Sequence, residues 1–405
     1  MFSKYDLRKR RYFGVIDYLL QPLHRSQVGL VSHTSKLQSR RVIFLSVTLW
    51  PLMILGCGRA NSNWRVSVAY TQTSVDLASI SCPSSSDCIA VGGEQYENHP
   101  SGMEEAVIYD SGVWKLLKVN GLRRQDEVLV GSSCTRVLSC IAVGSVLGQN
   151  GSTQDGGWIV RISGHSGTSL TEIQGKLHFT GIACTSHTHC LVTGVRFTPN
   201  PVPLLEETFD ARSWSRVVIP ALASQQSGEL SGLACAEVNE CIAVGSTWPT
   251  TTFGSSKPLV YSYDGIRWSK IELANARMPA MLSSVTCLDS RSCLVVGQQG
   301  IRPTRPLVYQ WNGKEWKEAN ISFVKRSIAM SSVACGSTTR CVGVGGGQGI
   351  GESPAVIVWN RARWSWIRSP SPSSTEPAGM QDVVCATRNL CFGVGYHWVY
   401  AITGP

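Results

Sequence analysis

The chain has 405 residues, 43% hydrophobic and only 16% charged, which describes a folded protein of one large or two to three ordinary domains and excludes disorder over most of its length. The formal charge of +10 is concentrated: residues 1 to 56 hold nine Lys/Arg and two Asp/Glu, a net +7, so the remainder carries only +3 and a nucleic-acid-binding surface loses its main support. Fifteen cysteines are too many for an ordinary cytosolic enzyme, and the odd number sets one apart from the other fourteen.

Residues 42 to 55 form an apolar run preceded by Arg40-Arg41 and followed by Gly56-Cys57, the shape of an export signal. A helix of that length rises about 21 Å against a hydrocarbon core of about 30 Å, and Pro51 interrupts it, so a permanent transmembrane helix is the weaker reading. Ile54-Leu55-Gly56-Cys57 resembles the bacterial lipobox, with Ile where Leu is usual. That resemblance implies lipidation of Cys57 as the mature N-terminus, with ordinary cleavage near Ala60 as the alternative. Ser39-Arg40-Arg41-Val42-Ile43-Phe44 resembles a twin-arginine export motif. The expected organisation is a leader over 1–56, a lipid-anchored tether over 57–63, and one repetitive domain over 64–402, placed outside the bacterial cytoplasmic membrane.

From Cys82 onward one motif is written seven times: Cys82/Cys88, Cys134/Cys140, Cys184/Cys190, Cys235/Cys241, Cys287/Cys293, Cys335/Cys341 and Cys385/Cys391, each pair separated by five residues. First cysteines follow one another at 52, 50, 51, 52, 48 and 50 residues, which excludes coincidence and absorbs every cysteine except Cys57. Five intervening residues let cross-strand neighbours face each other, so seven local disulfides are expected in an oxidising compartment.

A second half-motif follows most pairs, clearest in Asp264-Gly-Ile-Arg-Trp268 and Asn312-Gly-Lys-Glu-Trp316, and returning at Asp110/Trp114, Asp210/Trp214 and Asn360/Trp364. Asp-Gly and Asn-Gly suit hairpin turns, so each unit supplies four short antiparallel strands. Seven such units predict an all-β, seven-bladed β-propeller. Too little chain follows Cys391 for two further strands, while Trp64 to Val68 reads as an orphan strand, so the N-terminal strand is expected to close the last blade against Trp398 to Ile402. This resembles the strand-exchange closure of bacterial β-propellers, and the Asp/Asn-x3-Trp turns are similar to the Asp-box repeats of sialidase-like propellers, one residue shorter between Asp and Trp. The resemblance implies the fold and no particular activity.

Chemistry-bearing clusters are sparse. Cys184-Thr-Ser-His187-Thr-His189-Cys190 invites a zinc site, but the other six repeats keep the spacing without histidine, so a disulfide hairpin is the favoured reading and no metal is expected. The glycine run from Gly343 to Gly351 lacks the dinucleotide pattern, and no cofactor is expected. Glu104-Glu105 and Glu206-Glu207 point to opposite faces of strands, and His99, His165, His178 and His397 read as lone loop histidines.

Loops between second and third strands vary in length while the cysteine loops do not, so the variable end is the expected binding face and the cysteine end is expected to be chemically quiet. Tyr96, Trp248, Arg302, Arg305, Tyr396 and His397 are its candidates. The function read from this pattern is non-catalytic recognition or scaffolding of a protein or glycan. A carbohydrate-active enzyme of sialidase-like or lyase type is the alternative, although no arginine triad or tyrosine nucleophile can be matched.

Overall fold

The computed structural model describes residues 64–405 except 72–75, 94–104, 120–126, 138, 148–152, 165, 209–212, 252–254, 274–275, 301–303, 322–327, 347–352, 362 and 373–378. The leader run 42–55, Arg40-Arg41 and Cys57 therefore lie outside the described residues. Among those described there are strands and no helix, arranged as six antiparallel sheets.

Each cysteine pair sits where the first two strands of a repeat meet. In the fourth repeat Gln226–Glu237 pairs with Glu240–Pro249, Cys235 lies opposite Cys241, and a disulfide joins them. The same bond closes the other six repeats, as Cys82–Cys88, Cys134–Cys140, Cys184–Cys190, Cys287–Cys293, Cys335–Cys341 and Cys385–Cys391.

The two sulfurs of a pair differ in surroundings. The first cysteine of every pair is half-buried, whereas Cys88, Cys140, Cys190, Cys241, Cys293, Cys341 and Cys391 are all buried. Cys88, Cys140 and Cys341, expected from the sequence as disulfide partners, make those bonds from within the core. Cys88 packs with Ile80 and Val107, Cys140 with Ile89 and Val160, and Cys341 with Val333 and Ile357. The physical reason is that the second cysteine begins a second strand, and second strands are covered on both faces. The same covering explains near-continuous apolar runs such as Cys293-Leu-Val-Val-Gly297.

The third and fourth strands close on the polar turn. Asp264 Oδ1 accepts the Ile266 and Arg267 N–H groups, Asn312 Oδ1 accepts those of Lys314 and Glu315, and the intervening Gly265 and Gly313 take φ of 88° and 86°. Beyond these turns an aromatic of the third strand lies opposite the motif tryptophan. Tyr263 packs on Trp268 and Trp359 on Trp364, at centroid distances of 5.4 and 5.7 Å.

A close backbone approach repeats seven times. The glycine four residues after each second cysteine lies under the carbonyl six residues before the first. A Cβ on Gly245 would fall 2.0 Å from the Glu229 oxygen, one on Gly92 1.9 Å from that of Asp76, and equivalent contacts occur in every repeat. First strands bulge just beyond this point, for example between Leu230 and Gly232, and only glycine leaves room for the bulging chain.

The expected seven separate four-stranded sheets are not all found. Five sheets have four strands, and the sixth has seven because Ser166–Cys184 is one continuous strand. Residues 166–176 of it complete the second repeat and residues 177–184 begin the third, so no loop separates the two. Gly175, at φ 120°, marks the bend between the two pairings.

First strands of successive repeats lie side by side. Cys134 N–H donates to Ser81 Oγ, Cys184 N–H donates to Ser133 Oγ, and Thr180 Oγ1 donates to the Leu230 carbonyl. Apolar clusters accordingly mix neighbouring repeats, and one joins Leu77, Ile80 and Val107 of the first repeat to Phe392, Val394 and Val399 of the last. Arg65–Tyr70 is the outer strand of the last sheet, with Arg65 opposite Thr403 and Val68 opposite Tyr400. Trp64 is buried against Trp398, Met380 and Ile402.

Candidate functional site

Pairing register gives each sheet two distinct ends. Cys241 lies opposite Tyr263, which lies opposite Trp268, so the cysteine hairpins and the Asp/Asn turns share one end. At the other end first strands begin, second strands finish, and the loops of variable length connect.

Six residues before the first cysteine, at this variable end, the seven repeats carry Asp76, Val128, His178, Glu229, Met281, Ala329 and Gly379. Their carbonyls are held identically by the glycine contact, while their side chains range from acid to imidazole to none. The backbone frame is therefore constant and the chemistry placed on it is not.

Glu229 is 4% exposed, its carboxyl makes neither a hydrogen bond nor an ion pair among the described residues, and burial pushes that carboxyl up to about 7. His178, on the neighbouring first strand, encloses its Nδ1 without a hydrogen-bond partner, and burial lowers its ring to about 4. Expected on a loop, it lies instead on a strand opposite Val195. Nearby on the adjoining second and third strands, Arg196 meets Glu206 at 3.0 Å. Burial raises that carboxyl despite the opposing attraction of Arg196 and Arg216.

The first and last repeats also meet at this end. The Leu77 N–H donates to the Tyr396 carbonyl, Tyr396 takes a positive φ of 49°, and His397 Nδ1 stands 3.7 Å from Asp76 Oδ1. Two expected residues, Tyr396 and His397, are thus brought together with Asp76, which sequence reading did not single out. Arg305 starts the strand Arg305–Trp311 and is exposed. Trp248 requires correction as a surface contact, because it sits opposite Ser227 and is only 6% exposed, packed as core. Tyr96 and Arg302 lie outside the described residues.

The histidine pair between Cys184 and Cys190 has a local role. Thr185 Oγ1 is 2.6 Å from His189 Nδ1, Glu207 Oε1 is 2.7 Å from Nε2, and His187 is exposed. His189 thereby ties the hairpin to the third strand, and among the described residues no group of three His, Cys, Asp or Glu side chains could hold a metal. Glu206 and Glu207 do point apart, one toward Arg196 and the other toward His189.

Asp382 is the least expected group. Its Oδ2 accepts Ser79 Oγ–H at 3.0 Å and the Ile80 N–H at 2.9 Å, while Oδ1 accepts Ser332 Oγ–H at 2.6 Å and the Val383 N–H at 2.8 Å. One carboxyl therefore ties the first, sixth and seventh repeats. Burial pushes its pKa up, opposed by the bonds from Ser332, Ile80, Val383 and Ser79. With every acceptor direction satisfied inside the protein, it is a structural clasp and leaves nothing to offer a ligand.

No protein-family model matches the chain, and no curated protein matches it. Solved structures do. YCF48 bound to a D1 peptide is similar over 85% of this chain and 96% of its own, with a TM-score of 0.55 and 12% identity. The WD40 β-propeller domain of Doa1 covers 84% of this chain and 97% of its own, at a TM-score of 0.54 and 9% identity. A streptogramin B lyase covers 85% and 98%, at a TM-score of 0.54 and 10% identity. At such identities the likeness speaks for fold alone, and what these proteins share with the chain is the β-propeller architecture of repeated antiparallel sheets.

Proposed function

We propose that the chain is a closed, seven-bladed propeller that recognises a protein or glycan outside the cytoplasmic membrane, to which Cys57 anchors it, through the variable end. The observation carrying this reading is the constant backbone frame bearing seven different side chains. A frame held to the same contact seven times, with its chemistry varied at one mouth, is how a scaffold presents a recognition surface. Closure draws on the Asp382 clasp and on the pairing of Arg65–Tyr70 with the last sheet. Seven disulfides fit an oxidising compartment. Among the structural neighbours, YCF48 is seen with a peptide bound.

The test is a glycan array beside a pull-down from solubilised envelope, with Arg305→Ala and His397→Ala as paired variants. Loss of capture at an unchanged melting temperature supports recognition at this end. Undiminished capture by both variants counts against it. The alternative, a carbohydrate-active enzyme, draws on Glu229, whose carboxyl near neutrality is suited to proton donation. Turnover of a glycan, abolished by Glu229→Gln in a folded protein, would put the enzyme in place of the binder.

A further inference from the structure

We propose that the cysteine-hairpin end of the domain rests on a lipid surface, its exposed apolar tips inserted among the headgroups, so that the variable end faces away from the membrane. This inference rests on the lipid-anchor reading above.

The first observation is where the domain begins. Arg65 lies opposite Thr403, and Leu390, the last residue before Cys391, is also opposite Thr403. Gly404 N–H donates to the carbonyl of Asn389 within the last cysteine hairpin, and a Cβ on Gly404 would fall 2.6 Å from the Trp64 ring. The chain therefore enters the domain at the hairpin end. From Cys57 to Trp64 the backbone spans at most about 25 Å. The ten-residue strand Glu127–Arg136, running from the variable end to the hairpin end, rises roughly 33 Å. A lipid on Cys57 thus holds the hairpin end near the bilayer and cannot bring the variable end there by reaching past the domain.

A second observation is independent of the anchor. Among the described residues eight large apolar side chains are exposed, and five of them stand at hairpin tips of this one end: Val113 at 54%, Val137 at 49%, Val238 at 49%, Ile266 at 87% and Leu288 at 38%. A tight turn has no folding reason to expose an isoleucine, whereas projecting apolar tips around a face are suited to the interfacial layer of a bilayer.

Charge then selects the mode of contact. Within the seven cysteine hairpins Arg136, Arg291, Arg340 and Arg388 are balanced by Asp87, Glu237, Glu240 and Asp289, and the described Asp/Asn turns at the same end add Arg267, Lys314, Arg361 and Arg363 against Asp110, Asp264 and Glu315, a net of only +1. A face so close to neutral has no polybasic adhesion to anionic lipid, so the contact depends on apolar insertion and is nearly insensitive to salt. The end expected from sequence to be chemically quiet is on this reading the membrane-facing one.

The experiment uses the full exported chain on vesicles of phosphatidylethanolamine and phosphatidylglycerol, followed by amide hydrogen exchange. Wild-type segments 135–139, 236–240 and 264–267 are expected to exchange at least about fivefold more slowly than in the Val238→Asp/Ile266→Asp variant, with equal melting temperatures because both positions are exposed. Equal exchange in the two proteins, or slowing at the variable end instead, overturns the proposal. Mass spectrometry of the N-terminus separates the two readings. If it finds no lipid, the anchor reading falls. The inference then stands only if the lipid-free chain still co-sediments with vesicles equally at about 0.1 and 1 M salt, with roughly tenfold loss in the double variant. Absence of co-sedimentation overturns it.

Discussion

Gly245 shows how much a single hydrogen atom decides in this fold. Replacing it with alanine puts a methyl 2.0 Å from the Glu229 carbonyl, a distance no relaxation of one side chain can cure, because both groups are backbone-fixed. Gly245→Ala is expected to cost about 2–4 kcal/mol in denaturant unfolding. Gly112→Ala, where nothing lies within 4 Å and only the φ of 96° is strained, should cost about 1 kcal/mol. Equal losses would show that the close approach is not the controlling term. Glu229 gives a prediction in pH. Its carboxyl titrates near 4.5 when unfolded and at about 7 when folded, so the fold favours the protonated form. That contribution is fully present below about 4.5 and is lost as pH rises through about 7. Glu229→Gln should therefore stabilise the protein by up to about 3 kcal/mol at pH 8 and leave it unchanged at pH 4, as thermal unfolding at the two pH values will tell. For Asp382→Ala the expectation is opposite in sign: three sheets lose a shared acceptor, the buried Ser332 hydroxyl and the Ile80 N–H lose their partner while Ser79 keeps only Ser132, and about 3–5 kcal/mol is lost.

At the scale of elements, the strand Arg65–Tyr70 is an edge that completes the last sheet, and Trp64 fastens it by burial. Trp64→Ala should cost about 3–5 kcal/mol, and deletion of residues 58–69 should lower the melting temperature more, since it also bares the backbone of Trp398–Thr403. A deletion variant as stable as the parent would mean that the last sheet needs no fourth strand. Sequence reading finds this strand because its composition is orphaned, and finds the hairpins because cysteine spacing and Asp-Gly or Asn-Gly turns are local signals. It cannot find the continuous Ser166–Cys184 strand. A turn is announced by its residues, but the absence of a turn between the second and third repeats leaves only a degenerate segment that looks like a poor hairpin. Nor does it find Glu229 or His178 as a pair of sites. Each occupies a strand position filled elsewhere by Val128 or Met281, and their likeness emerges only when all seven repeats are set over the shared glycine contact. Trp248 misleads for the converse reason: a large aromatic beside a variable loop reads as exposed, whereas the second strand continues to Pro249 and carries it inward.

Across the whole molecule, the signals that announce architecture and those that announce function are at opposite ends. Disulfides, turn glycines and tryptophans repeat at the hairpin end and specify the fold. The variable end shares the close-packed glycine, but the side chains set on that frame differ in every repeat, and no single motif marks its chemistry. The pairing of Arg65 with Thr403 joins the two extremities of the domain, roughly 340 residues apart along the chain. Until Trp398–Thr403 has been synthesised, Arg65–Tyr70 has no backbone partner, and the nascent domain carries an unpaired strand from its first residues onward. A truncation that removes Tyr400–Thr403 would leave that strand unpaired from Arg65 to Val68, and quality control would meet a chain whose every earlier repeat was intact.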